Sequence, residues 1–253
     1  MKDEKITMFV EETREAVVQT LLEASGGGEL VRKTVPFKVG QADVAIIRGG
    51  AIEKASITHM KLNQVQPPEL DQVMDYMVFQ VEIFPENPLV PMGHFNTEWG
   101  MTGQGPYHMM LDVFPAVSEA QTYAPARTVM DEVAESFGVD KKEFRAGLAD
   151  HYRMEHWDGS LAAEAGCRLM HLGLDRLDLF IAAYRAFFDA YINVLEACKD
   201  KPYSQAEVKQ KLRRNGRWLE YLTLQDVAVK MGLGVGIPPG VLVELSYPPS
   251  AEF

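Results

Sequence analysis

Apolar and polar residues alternate strictly in the middle of the chain. Phe79, Val81 and Ile83 alternate with Gln80 and Glu82, a period of two that predicts a β-strand. Pro85, Pro88 and Pro91 follow; proline cannot donate to a strand ladder, so they predict a rigid, extended connection. On the next strand the same period puts His94, Asn96 and Glu98 on one face and Phe95, Thr97 and Trp99 on the other. Met101-Thr-Gly-Gln-Gly-Pro106 supplies turn residues. A third strand from Tyr107 places His108, Met110 and Asp112 on a shared face. If the second and third strands form a hairpin, a histidine, an amide and a carboxylate converge over one side of a sheet, as an acid–base site would require.

The pattern on either side predicts the supporting elements. Residues 5–24 carry Ile6, Phe9, Val10, Val17 and Leu21 at helical spacing, and Gly26-Gly-Gly28 ends that helix. Strand patterns run through Lys33–Val39, Ala42–Ile47 and Ala55–Leu62, and Gln66-Pro-Pro-Glu69 is a loop. After Gln121 the period becomes helical, over Ala126–Phe137, Lys141–Trp157 and most clearly Asp175–Lys199. The aromatic stripe of that last helix (Phe180, Tyr184, Phe187, Phe188 and Tyr191) is read as core. Ser204–Arg213 is a short basic helix with Ser204 and Glu207 at capping-box positions, and Asn215-Gly216 is a turn. Arg217–Leu224 and Gly240–Ser246 read as two closing strands. Strands, then helices, then strands predict an α+β fold in a single domain, residues 1–253, with a mostly antiparallel sheet because hairpin-length connections dominate.

Composition narrows the function classes. The chain has 253 residues and a formal net charge of −11, which argues against a nucleic-acid binder, since such affinity rests on neutralising phosphates. Cys167 and Cys198 form no CxxC unit, so cysteine-based metal ligation is not expected. His151 and His156 are five apart and share no helix face well; no metal site is expected. No long apolar run suggests a membrane span, and no apolar signal core follows the N-terminal Met-Lys-Asp-Glu-Lys. A cytoplasmic protein, monomer or homodimer, is the default expectation.

Several segments resemble aerobic, oxygen-dependent coproporphyrinogen III oxidases. Pro85-Glu-Asn-Pro-Leu-Val-Pro-Met-Gly-His94-Phe-Asn96 is similar to that family's P-x-N-P-x-V-P-x-x-H-x-N signature. Gly50-Ala-Ile-Glu-Lys-Ala-Ser-Ile57 resembles its G-x-x-F-E-K-A-G-V element, and Leu111-Asp112-Val-Phe-Pro115 its D-L-T-P segment. Arg213-Arg-Asn-Gly-Arg-Trp-Leu-Glu-Tyr221 and Glu244-Leu-Ser-Tyr-Pro-Pro249 resemble its R-R-G-R-Y-x-E-F and E-S-I-L-M-S-x-P-P segments. The matches keep the family's order over most of the chain. The resemblance implies a flat antiparallel sheet with helices on both faces, holding a tetrapyrrole. It also implies oxidative decarboxylation of propionates to vinyl groups in heme biosynthesis, with dioxygen as oxidant and no bound cofactor. Ferredoxin-dependent bilin reductases look like distant relatives.

The departures concern charge. The family's H-x-N-x-R becomes His94-Phe-Asn96-Thr-Glu98, its K-H-R becomes Glu155-His156-Trp157, and its late arginine-containing segment becomes Asp226-Val-Ala-Val-Lys-Met-Gly-Leu-Gly-Val-Gly-Ile-Pro-Pro-Gly240. Arginine pairs bidentately with carboxylates, and each such bond contributes about 1.5–3 kcal/mol. The resemblance therefore implies altered carboxylate recognition.

On spacing alone Asp112 reads as a strand-end turn cap; the resemblance implies that it anchors pyrrole N–H groups and takes a proton. His94, with an ordinary pKa of about 6.5, suits general acid–base work, or is a hydrogen-bonded core histidine. Asp112 and His94 are the catalytic candidates. Asn96, Glu98, His108 and Arg217 are the substrate-binding candidates: Asn96 to orient the ligand or His94, Glu98 in the family's arginine position, His108 to pair with Asp112, and Arg217 to replace a lost cation. Met92, Met101, Met109 and Met110 offer soft apolar surface or fill core gaps. Three functions remain open at this point: a tetrapyrrole oxidase, a bilin reductase fed by reduced ferredoxin, and a non-catalytic tetrapyrrole carrier. A ferredoxin is acidic and would need a basic patch, for which Lys209, Lys211, Arg213, Arg214 and Arg217 are the candidates.

Overall fold

The computed structural model describes residues 2–67, 70–154 and 161–253. Helix α1 (Lys2–Ser25) leads into β1 (Glu29–Phe37), β2 (Gly40–Gly49), β3 (Ile52–Val65), β4 (Met74–Pro85), β5 (Met92–Gly100) and β6 (Tyr107–Phe114). Next come α2 (Ala120–Ser136), the single-turn helices α3 (Lys141–Phe144) and α4 (Leu148–His151), and strand β7 (Glu164–Leu172). The chain closes with α5 (Leu177–Cys198), α6 (Gln205–Leu224), α7 (Val227–Gly234) and α8 (Pro239–Ser246). The strands form one sheet in sequence order, β1 to β7, and every pairing is antiparallel. Short connections leave each strand beside its predecessor, which produces this order. The result is an α+β fold with a flat sheet between helices.

The period of two divides the sheet into two buried faces. One carries Ala45, Ile57, Phe79, Val81, Phe95 and Leu111, and is covered by α1, α2 and α5. Around Phe95 stand Tyr184, Phe187, Phe188 and Tyr191 of α5, with ring centroids 5.3–5.9 Å away in tilted or edge-on contact. The aromatic stripe of α5 is therefore core, and each ring buried contributes about 1.5–3 kcal/mol. With Phe95 held there, its neighbours His94 and Asn96 must point to the opposite face. That face carries Met60, Tyr76, Val78, Met92 and Phe114, and packs against Trp218, Tyr221, Leu242 and Leu245 of α6 and α8.

The proline-rich connection between β4 and β5 is locked from both layers. Asn87 Nδ2 donates to the carbonyls of Cys198, Lys199 and Lys201 at 3.0, 3.1 and 2.8 Å, closing the C-terminal end of α5. From the other layer, buried Lys211 on α6 donates to the carbonyls of Pro85 and Glu86 at 3.3 and 2.8 Å and pairs with Glu53 at 2.9 Å. Arg214 donates to the Phe114 carbonyl at 2.8 Å. These bonds fix the height at which β5 begins, and hence where His94 sits.

Several sequence expectations are corrected. Arg217–Leu224 is not a strand: α6 runs unbroken from Gln205 to Leu224, through Asn215-Gly216, which is no turn. Gly240–Ser246 is likewise helical, within α8. The helix expected over Lys141–Trp157 is reduced to α3 and α4, and residues 155–157 lie outside the described residues, as do His156 and positions 68–69 of the expected loop. Strand β7 was not expected at all. Lys211 and Arg214 are buried and capping carbonyls, so they leave the basic patch; Lys209, Arg213 and Arg217 remain as an i, i+4, i+8 stripe on α6.

Candidate active site

In the ladder between β5 and β6, His94 lies directly opposite Asp112, Asn96 opposite Met110, and Glu98 opposite His108. The expected hairpin forms, and the expected residues share one face. That face is buried: His94 is 4% exposed and Asp112 0%. His94 Nδ1 is 3.2 Å from Asp112 Oδ1. Tyr152, just after α4, donates its hydroxyl to Asp112 Oδ2 at 3.0 Å and stands 3.3 Å from His94 Nδ1. Phe114 and Trp218 pack around the imidazole, at 6.2 and 5.4 Å between centroids.

Burial opposes a charge on His94, but Asp112, its hydrogen bond, Glu82 and Asp226 outweigh that and raise its pKa above the ordinary value. Burial first, then Asp112, drive the Tyr152 phenol well above its usual range, so it stays protonated and donates. The three groups form a unit in which an imidazole, a carboxyl group and a phenol are hydrogen-bonded together.

A fourth group joins from β4. Glu82 lies directly opposite His94 and is fully buried. Burial pushes its carboxyl up to about 7, against the pull of His94 and Lys54. Its Oε1 accepts from Gln80 Nε2 at 2.5 Å, and its Oε2 has no hydrogen-bond partner among the described residues. Lys54 of β3, 1% exposed, donates to the carbonyls of Val243 and Tyr247 at 3.1 and 2.6 Å. A cation at the C-terminal end of α8 complements the helix dipole. Burial pushes Lys54 down to about 8, with Glu82 and Glu244 opposing.

The substrate-binding candidates divide. Asn96 donates to Glu98 Oε1, and Tyr76 to Glu98 Oε2, both at 2.8 Å. Glu98 is therefore held by neighbours within the sheet. Asn96 Oδ1 is buried with no hydrogen-bond partner among the described residues. His108 does not pair with Asp112; its Nδ1 accepts the His171 backbone N–H at 3.4 Å. Arg217 is far from this group, exposed on α6 and bonded to Glu220 at 3.1 Å.

Between this sheet face and the α6–α8 layer lies a cleft with a void of about 110 Å³. Gln80, His94, Asn96 and Glu98 form its polar floor, Met110 and Met170 its apolar end, and Trp218 a wall. Residues of α7 and α8 close it from above, and no lysine or arginine lines it. Of the methionines singled out from the sequence, Met110 lines the cleft and Met92 packs beside it, whereas Met109 and Met101 belong to the opposite face. Among the described residues, no group of three or more His, Cys, Asp or Glu side chains is placed to hold a metal ion. No helix among the described residues is long and apolar enough to cross a membrane.

Glu82, Tyr152, Lys54 and Trp218 were missed from the sequence. A signal for Glu82 exists: it and His94 are equidistant from Pro88 at the centre of the proline-rich connection, the symmetry of a hairpin pair. Tyr152 reaches the site from the segment that follows α4 and precedes β7, and no periodicity points to it. No protein-family model matches the chain.

Proposed function

We propose that this protein binds a tetrapyrrole in the cleft and acts on it as an oxidoreductase, with Asp112 and His94 as the proton-transferring pair. One observation carries the reading: His94 and Tyr152 line the cleft, and both are hydrogen-bonded to the carboxylate of Asp112 buried behind them. A flat apolar ligand with pyrrole N–H groups at its centre suits methionine and tryptophan walls over a polar floor. Asp112 would accept from pyrrole N–H groups, His94 would move the proton, and Tyr152 would keep Asp112 oriented. The resemblance to oxygen-dependent coproporphyrinogen oxidases supports the same ligand class. A tetrapyrrole is larger than the present void, so binding displaces α7 from the sheet.

Within that reading, reduction of an open-chain tetrapyrrole by electrons from ferredoxin is a second possibility with its own support. His94 is shifted up and burial pushes Glu82 up to about 7, the direction that favours bound protons, as a reduction that consumes protons requires. The absence of lysine and arginine from its lining among the described residues also suits a ligand with fewer carboxylates than coproporphyrinogen. Lys209, Arg213 and Arg217 would face the acidic donor.

Mixing purified protein with biliverdin, heme, coproporphyrin III and coproporphyrinogen III, and following absorbance, tests the proposal. An absorption shift followed by turnover, with dioxygen or with reduced ferredoxin, and lost in Asp112→Asn, is expected. No spectral change with any of them overturns it; binding without turnover reduces the protein to a carrier.

A further inference from the structure

Beyond Met110 and Met170, at the β7 end of the cleft, two buried N–H groups lack an acceptor among the described residues. Arg168 pairs with Met110 across the β6–β7 ladder, so its side chain leaves the sheet on the same face as His94 and His108. Its Nε is buried with no hydrogen-bond partner, and no described carboxylate pairs with its guanidinium. The guanidinium lies against Gly147, where an added methyl would stand 3.6 Å from Nη1. It is thus held between β7 and the start of α4, next to His151, which lines the cleft.

His108 supplies the second donor. It is 6% exposed, and burial, then His171 and Arg168, push its pKa down to about 4. The neutral ring has one donor and one acceptor nitrogen. Nδ1 accepts the His171 N–H, so Nε2 carries the hydrogen. That atom too is buried without a partner. His108 and Arg168 flank Met110, one along β6 and one across the ladder, and such diagonal neighbours are within reach of each other's long side chains. Glu98, directly opposite His108, already accepts from Asn96 and Tyr76. His151 Nε2 is engaged with the Tyr221 hydroxyl at 3.1 Å.

Leaving a buried donor unmade is costly, and here the Nε–H of half-buried Arg168 and the Nε2–H of His108 are both left so among the described residues. The chemistry that satisfies a planar cation and an adjacent imidazole N–H together is a carboxylate, which offers two oxygens in the plane of the fork. We infer that Arg168 and His108 form an anion-binding subsite at the β7 end of the cleft that takes one carboxylate of the ligand. That the carboxylate belongs to a tetrapyrrole rests on the function proposed above; the subsite itself does not. Its place explains how a cleft with no described lysine or arginine in its lining can still orient an acidic ligand: the guanidinium sits beyond Met110 and Met170, at one end only.

Two measurements test this. Protein labelled with ¹⁵N-arginine is titrated with sodium propionate, with sodium chloride as ionic control. The Arg168 Nε–H signal, assigned by its loss in Arg168→Met, is expected to shift saturably with propionate alone. A signal that does not move, or that moves equally with chloride, overturns the subsite. Second, biliverdin and its dimethyl ester are bound to wild type, Arg168→Met and Arg168→Lys. The diacid is expected to weaken about 10- to 100-fold in Arg168→Met and the ester to bind unchanged, with Arg168→Lys intermediate. Equal loss for diacid and ester also overturns it. If the propionate shift holds while wild type binds no tetrapyrrole, the functional proposal falls and the subsite stands.

Discussion

His94 and Asp112 face each other across the β5–β6 ladder with Nδ1 and Oδ1 3.2 Å apart, and both are buried. The pair is a cross-strand contact that depends on register; a slip of one residue in either strand would send its member of the pair toward the aromatic layer under α5.

Asp112→Asn removes the group that does most to keep His94 charged. The His94 midpoint, followed by NMR, is expected to fall below its wild-type value, because burial then acts with less opposition. The sign on stability follows. A histidine whose pKa is raised by folding adds stability that is full below its unfolded value, about 6.5, and is lost as pH rises through the folded value. The unfolding free energy of wild type should therefore exceed that of Asp112→Asn most in acid, and the gap should narrow as pH rises past the His94 midpoint. Urea titrations across that range check it.

Glu82→Gln should act in the opposite sense. Folding raises the Glu82 pKa from 4.5 to about 7, so the wild-type fold loses stability as pH climbs between those values. Glutamine keeps the oxygen that accepts from Gln80 and cannot ionise. The variant should match wild type near pH 4.5 and exceed it above pH 7 by on the order of 1–3 kcal/mol, read from urea midpoints at the two ends.

Gly166→Ala should loosen the β7 edge. A Cβ there would lie 1.5 Å from the Leu111 carbonyl oxygen, a backbone atom that cannot step aside. A loss of more than about 2 kcal/mol is expected. Gly234→Ala, at a position with open space around it, should by contrast be neutral or stabilising by up to about 1 kcal/mol. Thermal unfolding of the two variants side by side makes the comparison.

Ser204→Ala should cost about 1 kcal/mol. It removes a capping box in which the Ser204 hydroxyl accepts from the Glu207 N–H at 3.3 Å and Glu207 answers to the Ser204 N–H at 2.6 Å. Glu207→Gln, which keeps the reciprocal geometry, should cost less; equal losses in the two variants would count against the capping account.

The inner strands were legible because alternation along a strand is a local property. Phe79–Ile83, His94–Trp99 and Tyr107–Asp112 each carry the period, and the turn residues between them dictate hairpins. Alternation says which residues share a face, but not whether that face meets water. Gln80 and Glu82 are the polar positions of β4, yet they lie beneath α6 and α8 because a second layer arrives more than a hundred residues later. Lys54 was hidden in the same way, its acceptors lying 189 and 193 positions away, and Tyr152 by a separation of 40 and 58 positions from Asp112 and His94.

The closing segments were misread for a different reason. Trp218, Tyr221 and Leu222 are three and four apart, a helical spacing, but the stretch is short, aromatic and preceded by Asn215-Gly216, which imitates a hairpin turn. Gly216 serves packing instead: a Cβ there would meet the Glu252 carbonyl at 2.2 Å, so the glycine lets the C-terminal segment cross α6. Strand β7 escaped notice because Ala165 and His171 have positive φ angles, 67° and 55°. The kinks interrupt its period of two.

The sequential strand order also has a consequence for the life of the chain on the ribosome. Each strand pairs with the one made just before it, so β1 to β6 can assemble as they emerge, with little wait for distant partners. The layer over the polar face is made last, and Lys54 finds its carbonyl acceptors 189 and 193 positions downstream. Until those residues are synthesised, the future cleft is an uncovered platform.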